Sequence, residues 1–132
     1  MKAIPYNENN HYAMLASWWD SWAGWVAIPP MMLPENGLII YSDCNVPLCA
    51  GFVYKTDSCI AWVEHIISSK DAPKELRGGS VEFLIDELSL LAKGLGFLIC
   101  LTSSNKNGLI AKFENEKYQK TDLNTTILTK VL

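Results

Sequence analysis

No C-x-x-C pair occurs in this chain, and its two histidines, His11 and His65, stand far apart. Structural zinc sites draw on closely spaced Cys and His ligands, so no metal site is expected. The four cysteines, Cys44, Cys49, Cys59 and Cys100, are scattered among apolar residues and fit reduced core thiols better than a disulfide framework. A nucleophilic Cys-His pair stays open, because such partners meet only in the fold. Long basic runs are also missing and the formal net charge is -3, which argues against a protein that lives on nucleic-acid phosphates. No apolar run follows Lys2 and no segment approaches the length of a membrane span, so neither a secretory leader nor a membrane anchor is expected, and the expected location is cytoplasmic. Repeats, linkers and low-complexity segments are absent. One domain over residues 1–132 is therefore expected, and with 49% apolar residues it can build one sizeable core.

What is present falls into alternating textures. A short strand is predicted at Lys2–Pro5. After the polar turn Asn7–Asn10, Tyr12, Leu15, Trp19 and Trp22 recur at steps of three and four, which predicts an amphipathic helix capped by Asn9 or Asn10. Met14, Trp18 and Trp25 define a second face. The stretch AIPPMMLPENG holds three prolines and cannot continue a helix, yet it is unusually apolar for a loop; it packs on the core or lines a cleft. From Gly37 onward, GLIIYS, PLCAGFVYK and SCIAWVEHII read as three strands with short turns, an antiparallel meander.

Val81, Leu84, Ile85, Leu88, Leu91 and Ala92 then form one apolar stripe over Ser80–Lys93, the helix with the strongest pattern, ended by Gly94 or Gly96. FLICLT follows as a fully buried strand, which predicts a parallel crossover. A helix near Lys106–Asn115, a short strand around Tyr118–Thr121 and a final strand TTILTKVL complete the chain. That last strand offers an edge for pairing with its copy in a homodimer.

The Gly78-Gly79 pair sits directly before the striped helix, with Arg77 beside it. The first turn of a helix leaves about four N–H groups without partners, and the dipole makes that end attractive to anions. Glycines let those amides approach a ligand, so a phosphate group is one reading of this stretch and a plain loop is the other.

The order of elements resembles the GNAT superfamily of N-acetyltransferases over almost the whole chain. The family's loop before the central helix reads Q/R-x-x-G-x-G/A and binds the pyrophosphate of acetyl-coenzyme A. Arg77-Gly78-Gly79-Ser80-Val81-Glu82 resembles it, with Ser80 at the central glycine and Glu82 at the last small residue. Near a pyrophosphate Glu82 would repel the ligand unless it turns outward. The run Asn105–Tyr118 resembles the family's asparagine followed by LYEKLGF, with Phe113 in place of a tyrosine that can protonate the leaving thiolate and Lys117-Tyr118 in place of Gly-Phe.

The resemblance implies an α/β (α+β) fold, a mixed and mostly antiparallel sheet of six to seven strands with helices on both faces. It implies acetyl-CoA as cosubstrate and acetyl transfer to a primary amine, small-molecule or protein, with no metal. Cofactor contacts are expected from Ile66, Ile67, Arg77, Gly78, Gly79, Ser80, Val81, Asn105 and Phe113. Strict alternation places Trp62, Glu64 and Ile66 on one face of the fourth strand and Val63, His65 and Ile67 on the other. Glu64 is the first candidate for the base and His65 the second. The alternative for Glu64 is a solvated surface charge, and for His65 a structural histidine. The acceptor is expected against Trp18, Trp25, Met31 and Met32, although a tryptophan cluster also reads as core. A different function keeps the fold without the chemistry: a catalytically inactive protein that docks a protein partner on its Trp/Pro/Met face, a reading that Ser80, Glu82 and Phe113 favour.

Overall fold

The computed structural model describes residues 1–132. Its elements in chain order are strand β1 (Lys2–Pro5), helix α1 (Glu8–Ser21), a 3-10 turn (Pro30–Met32), strands β2 (Gly37–Tyr41), β3 (Pro47–Lys55) and β4 (Ile60–Ser68), a helical turn α2 (Lys74–Arg77), helix α3 (Ser80–Gly94), strand β5 (Ile99–Leu101) and helix α4 (Asn107–Asn115). The strands form one sheet in the order β1-β2-β3-β4-β5. Neighbours are antiparallel except β4 and β5, which are parallel, so the predicted crossover through α3 is present.

Two apolar cores lie on opposite faces of this sheet. Leu15, Trp18 and Trp19 of α1 pack with Ile39, Ala50, Phe52 and Ile67 on one face. Val81, Leu84, Ile85 and Leu88 of α3 pack with Ile40, Val53, Ala61, Val63 and Ile66 on the other, joined by Phe113 of α4. The α1 cap is Asn7 rather than Asn9 or Asn10: its side-chain oxygen accepts from the Asn10 N–H at 3.1 Å. Two tyrosine hydroxyls tie the proline-rich loop down, Tyr12 donating to the Ile28 carbonyl at 2.9 Å and Tyr54 to that of Met32 at 2.7 Å.

The sheet has five strands, not six or seven. Neither Tyr118–Thr121 nor TTILTKVL forms a strand. The β-branched content of the tail favours extended backbone, but a strand needs a partner, and its apolar side chains have no core to face: Ile127 and Leu128 are exposed. Without a neighbour beyond it, β5 is a short edge strand with Ile99 half exposed, not the buried strand its run of apolar residues predicts. The cysteines also divide: Cys49 is in the core, Cys100 is half-buried, and Cys44 and Cys59 are exposed, all four as free thiols.

Candidate active site

Strict alternation fails in the middle of β4. Ala50 pairs with Ile67 and Phe52 with Glu64, so His65 and Ile66 together oppose the single residue Gly51. This is a β-bulge, and His65 takes φ 58 to make it. Beyond the bulge the faces exchange. Ile66 joins Val63 in the α3-side core while Ile67 turns into the α1-side core, which corrects the alternation expected for both. Gly51 is what lets the bulge close: a Cβ there would lie 2.5 Å from Ile66 Cδ1 and 2.9 Å from Leu88 Cδ1.

The same strand diverges from its neighbour. Pairing with β5 spans only Ile60–Trp62 against Ile99–Leu101, so Val63–Ser68 has no strand on that side. A wedge opens between β4 and the chain that follows β5. At its apex lies a cavity of about 180 Å³ lined by Trp25, Glu64, His65, Ile66, Leu109 and the segment Thr102–Lys106. A larger groove along β5 and α4, reaching Trp62 and Phe113, shares Glu64 and Thr102–Asn105 with it.

Glu64 stands at the junction of the two. One oxygen, Oε1, accepts from both the backbone N–H and the hydroxyl of Ser103 at 3.0 Å each, and Oε2 has no protein partner. Burial raises the carboxyl above its ordinary value, and the Ser103 bonds pull the other way without cancelling it. His65 is also half-buried; desolvation lowers its pKa, so the imidazole is neutral at pH 7, with its ring edge-on to Tyr54 at 5.7 Å. Phe52 faces α1 and pairs with Glu64, and Tyr54 pairs with Trp62, so Trp62 and Glu64 share the face of β4 that looks toward the proline-rich loop.

The glycine loop directly precedes α3, and none of Arg77, Gly78, Gly79, Ser80 and Val81 lines the cavity or the larger groove. Gly79 takes φ 75 and caps α3 without any side-chain bond. The amides of Gly79 and Glu82 have no protein acceptor; the first closed bond of this end runs from the Phe83 N–H to the Gly79 carbonyl. Ser80 is buried at the start of α3. Glu82 turns to α4, where Lys112 Nζ lies 3.3 Å from Oε1. Arg77, the single arginine of the chain, gives one N–H to the Ser69 carbonyl at 3.3 Å and keeps its Nε buried without a partner.

The cavity thus gathers Glu64, His65, Ile66, Asn105 and Trp25. It does not include Trp18, which is 5% exposed in the α1-side core, a correction that follows from its place on the inner face of the helix. Met31 and Met32 are exposed on the loop outside the cavity lining, and Phe113 is buried against α3 while lining the larger groove. Ser103 is the residue that sequence reading missed. Its signal was faint: a polar T-S-S-N run directly after an apolar strand, where the chain must leave the sheet.

No family model matches the sequence, and no curated protein sequence matches it. Solved structures do match in fold. A Mycobacterium tuberculosis protein solved in complex with CoA superposes with a TM-score of 0.70 at 10% identity, over 98% of this chain and 76% of that one. A Trypanosoma brucei acetyltransferase gives 0.62 at 9% identity, over 97% and 99%. The N-acetylglutamate synthase of Neisseria gonorrhoeae, complexed with coenzyme A and N-acetyl-glutamate, gives 0.63 at 16% identity, over 88% of this chain and 27% of that one. The likeness is one of fold: the chain is built as these solved acetyltransferase structures are.

Proposed function

We propose that the protein is an acetyl-CoA-dependent N-acetyltransferase acting on a primary amine, with Glu64 as the base. The observation that carries this reading is the wedge: a strand edge left open from Val63 to Ser68, with a half-buried carboxylate at its apex.

Acetyl-CoA supplies an acetyl group on a thiol of pKa about 8.5, which departs without needing a positioned acid, so the phenylalanine at position 113 is compatible with turnover. The chain's own groups divide the remaining work. The free amides of Gly79 and Glu82 suit a pyrophosphate, with Arg77 nearby in sequence as a positive charge. Lys112 offsets part of the Glu82 charge by pairing with Oε1, while Oε2 is buried without a partner. The open β4 edge offers backbone N–H and C=O groups to an extended amide-bearing arm. Ser103 fixes Oε1 of Glu64, leaving Oε2 to take the proton of an incoming ammonium, and the raised pKa moves the carboxylate toward a useful base. His65, neutral at pH 7, is the second candidate.

A second reading has one observation behind it. Val26, Met31 and Met32 are 77%, 91% and 56% exposed on a loop that two tyrosines hold in place, which suits a protein-docking face.

Calorimetric titration of acetyl-CoA separates the two. Micromolar binding is expected, abolished by Gly79→Asp and retained by Gly79→Asn. Both side chains fit the open space beside Gly79, where the only neighbour is Met1 Cε at 3.9 Å, and both tolerate positive φ, so the pair differs in charge alone. No binding at millimolar cofactor sinks the transferase reading and leaves the docking face.

A further inference from the structure

Two exposed tryptophans line the two cavities that meet at Glu64. Trp25 lines the small cavity and Trp62 the larger groove, each 37% exposed although most tryptophans are deeply buried. Within the small cavity Glu64 is the one carboxylate, and Lys106 balances it. Beyond the shared Glu64, the larger groove adds the acids Glu114, Glu116 and Asp122, and Lys93, Lys117 and Lys120 match these in number. A polycationic acceptor would meet one cation for nearly every carboxylate it sought. A single ammonium, in contrast, finds one anion flanked by aromatic faces, which attract cations and apolar groups alike. Volume allows the same, since about 150 Å³ is enough to hold benzene, and Trp25, Ile66 and Leu109 give the otherwise polar cavity one apolar wall. Tyr54 and Tyr12 have already fixed the loop that carries Trp25 and Met32, so little ordering cost remains for a ligand there.

Resting on the transferase reading, we propose that the acceptor is a small free monoamine on an apolar body of about ring size, its nitrogen at Glu64 and its body against Trp25 and Trp62. Polyamines and aminoglycosides are then poor acceptors.

The test is binding of 2-phenylethylamine, ethanolamine and spermidine to the full chain by calorimetry, with acetyl-CoA titrated separately. Phenylethylamine is expected to bind about tenfold or more tighter than either competitor, and Trp25→Ala and Trp62→Ala are each expected to weaken it about tenfold, the size of one good aromatic contact. Circular dichroism establishes that both variants are folded; should one fail to fold, the other carries the comparison. Tighter spermidine or ethanolamine, or phenylethylamine binding untouched by both variants, overturns the proposal. So does a phenylalanine-led tripeptide that binds where phenylethylamine does not. The two readings fail separately: amine binding without acetyl-CoA binding removes the transferase and keeps the amine site, and the converse removes this acceptor class and keeps the transferase.

Discussion

Lys117 and Gly96 end two helices in the same way. At the end of α3 the Phe97 N–H reaches the Ala92 carbonyl and the Gly96 N–H that of Lys93, with Gly96 at φ 96. At the end of α4 the Tyr118 N–H reaches the Phe113 carbonyl and the Lys117 N–H that of Glu114, with Lys117 at φ 72. Both are the same C-terminal motif, completed in α4 by the Phe113 and Tyr118 rings packed 4.9 Å apart. A lysine there strains its backbone where glycine would not. Lys117→Gly is therefore expected to stabilise the fold by about 1 kcal/mol, read as a higher urea midpoint at unchanged slope. Glu64 is the opposite case, a residue that costs stability where it sits. Its folded pKa is raised, so the carboxyl holds its proton more tightly folded than unfolded, and stability falls as pH rises from the ordinary value through the folded one. Glu64→Gln removes that cost and keeps an oxygen for both Ser103 donors. The variant should match the parent below the ordinary value of 4.5, exceed it in melting temperature at pH 7 to 8, and lose about 100-fold or more in transfer rate. A variant less stable at pH 8 with unchanged rate would return Glu64 to a structural role.

At the scale of elements, the bulge in β4 and the glycine facing it act as one device. Gly51→Ala pushes a methyl into Ile66 and Leu88, and the expected cost is about 1–3 kcal/mol. Because Ile66 lines the cavity, coenzyme binding should weaken more than in a core variant of equal instability, such as a truncation at Leu15 on the other face; equal weakening would separate the bulge from the site. Helices and the meander were legible because each repeats a period: the stripe of α3 and the β-rich runs of β2 to β4 lie close to where they were expected. The bulge was not legible. It depends on Gly51 of β3 standing opposite His65 and Ile66 of β4, and the alternation along either strand alone carries no sign of the other.

For the whole molecule, candidate residues were legible by type, and which of them meet was decided by the fold. Glu64 could be named as a candidate from residue type and position and does line the cavity, whereas Arg77 and the glycine pair do not; Ser103 reaches Glu64 only because β5 is short and the chain turns back toward β4. Trp18 and Trp25 look alike in sequence. One is buried by the helix that carries it and the other is released by the turn after that helix, a difference set by where α1 stops. The tail misled for a related reason: β-branched residues mark a segment that can be a strand, and only a partner makes it one.

The open edge of β4 also carries a liability. From Val63 to Ser68 its backbone groups on one side meet no neighbouring strand, and an edge open to the proposed coenzyme is equally open to a strand from another chain. Crowded, ligand-free molecules are thus the form most exposed to self-association, and whatever fills the wedge also acts as its guard against aggregation.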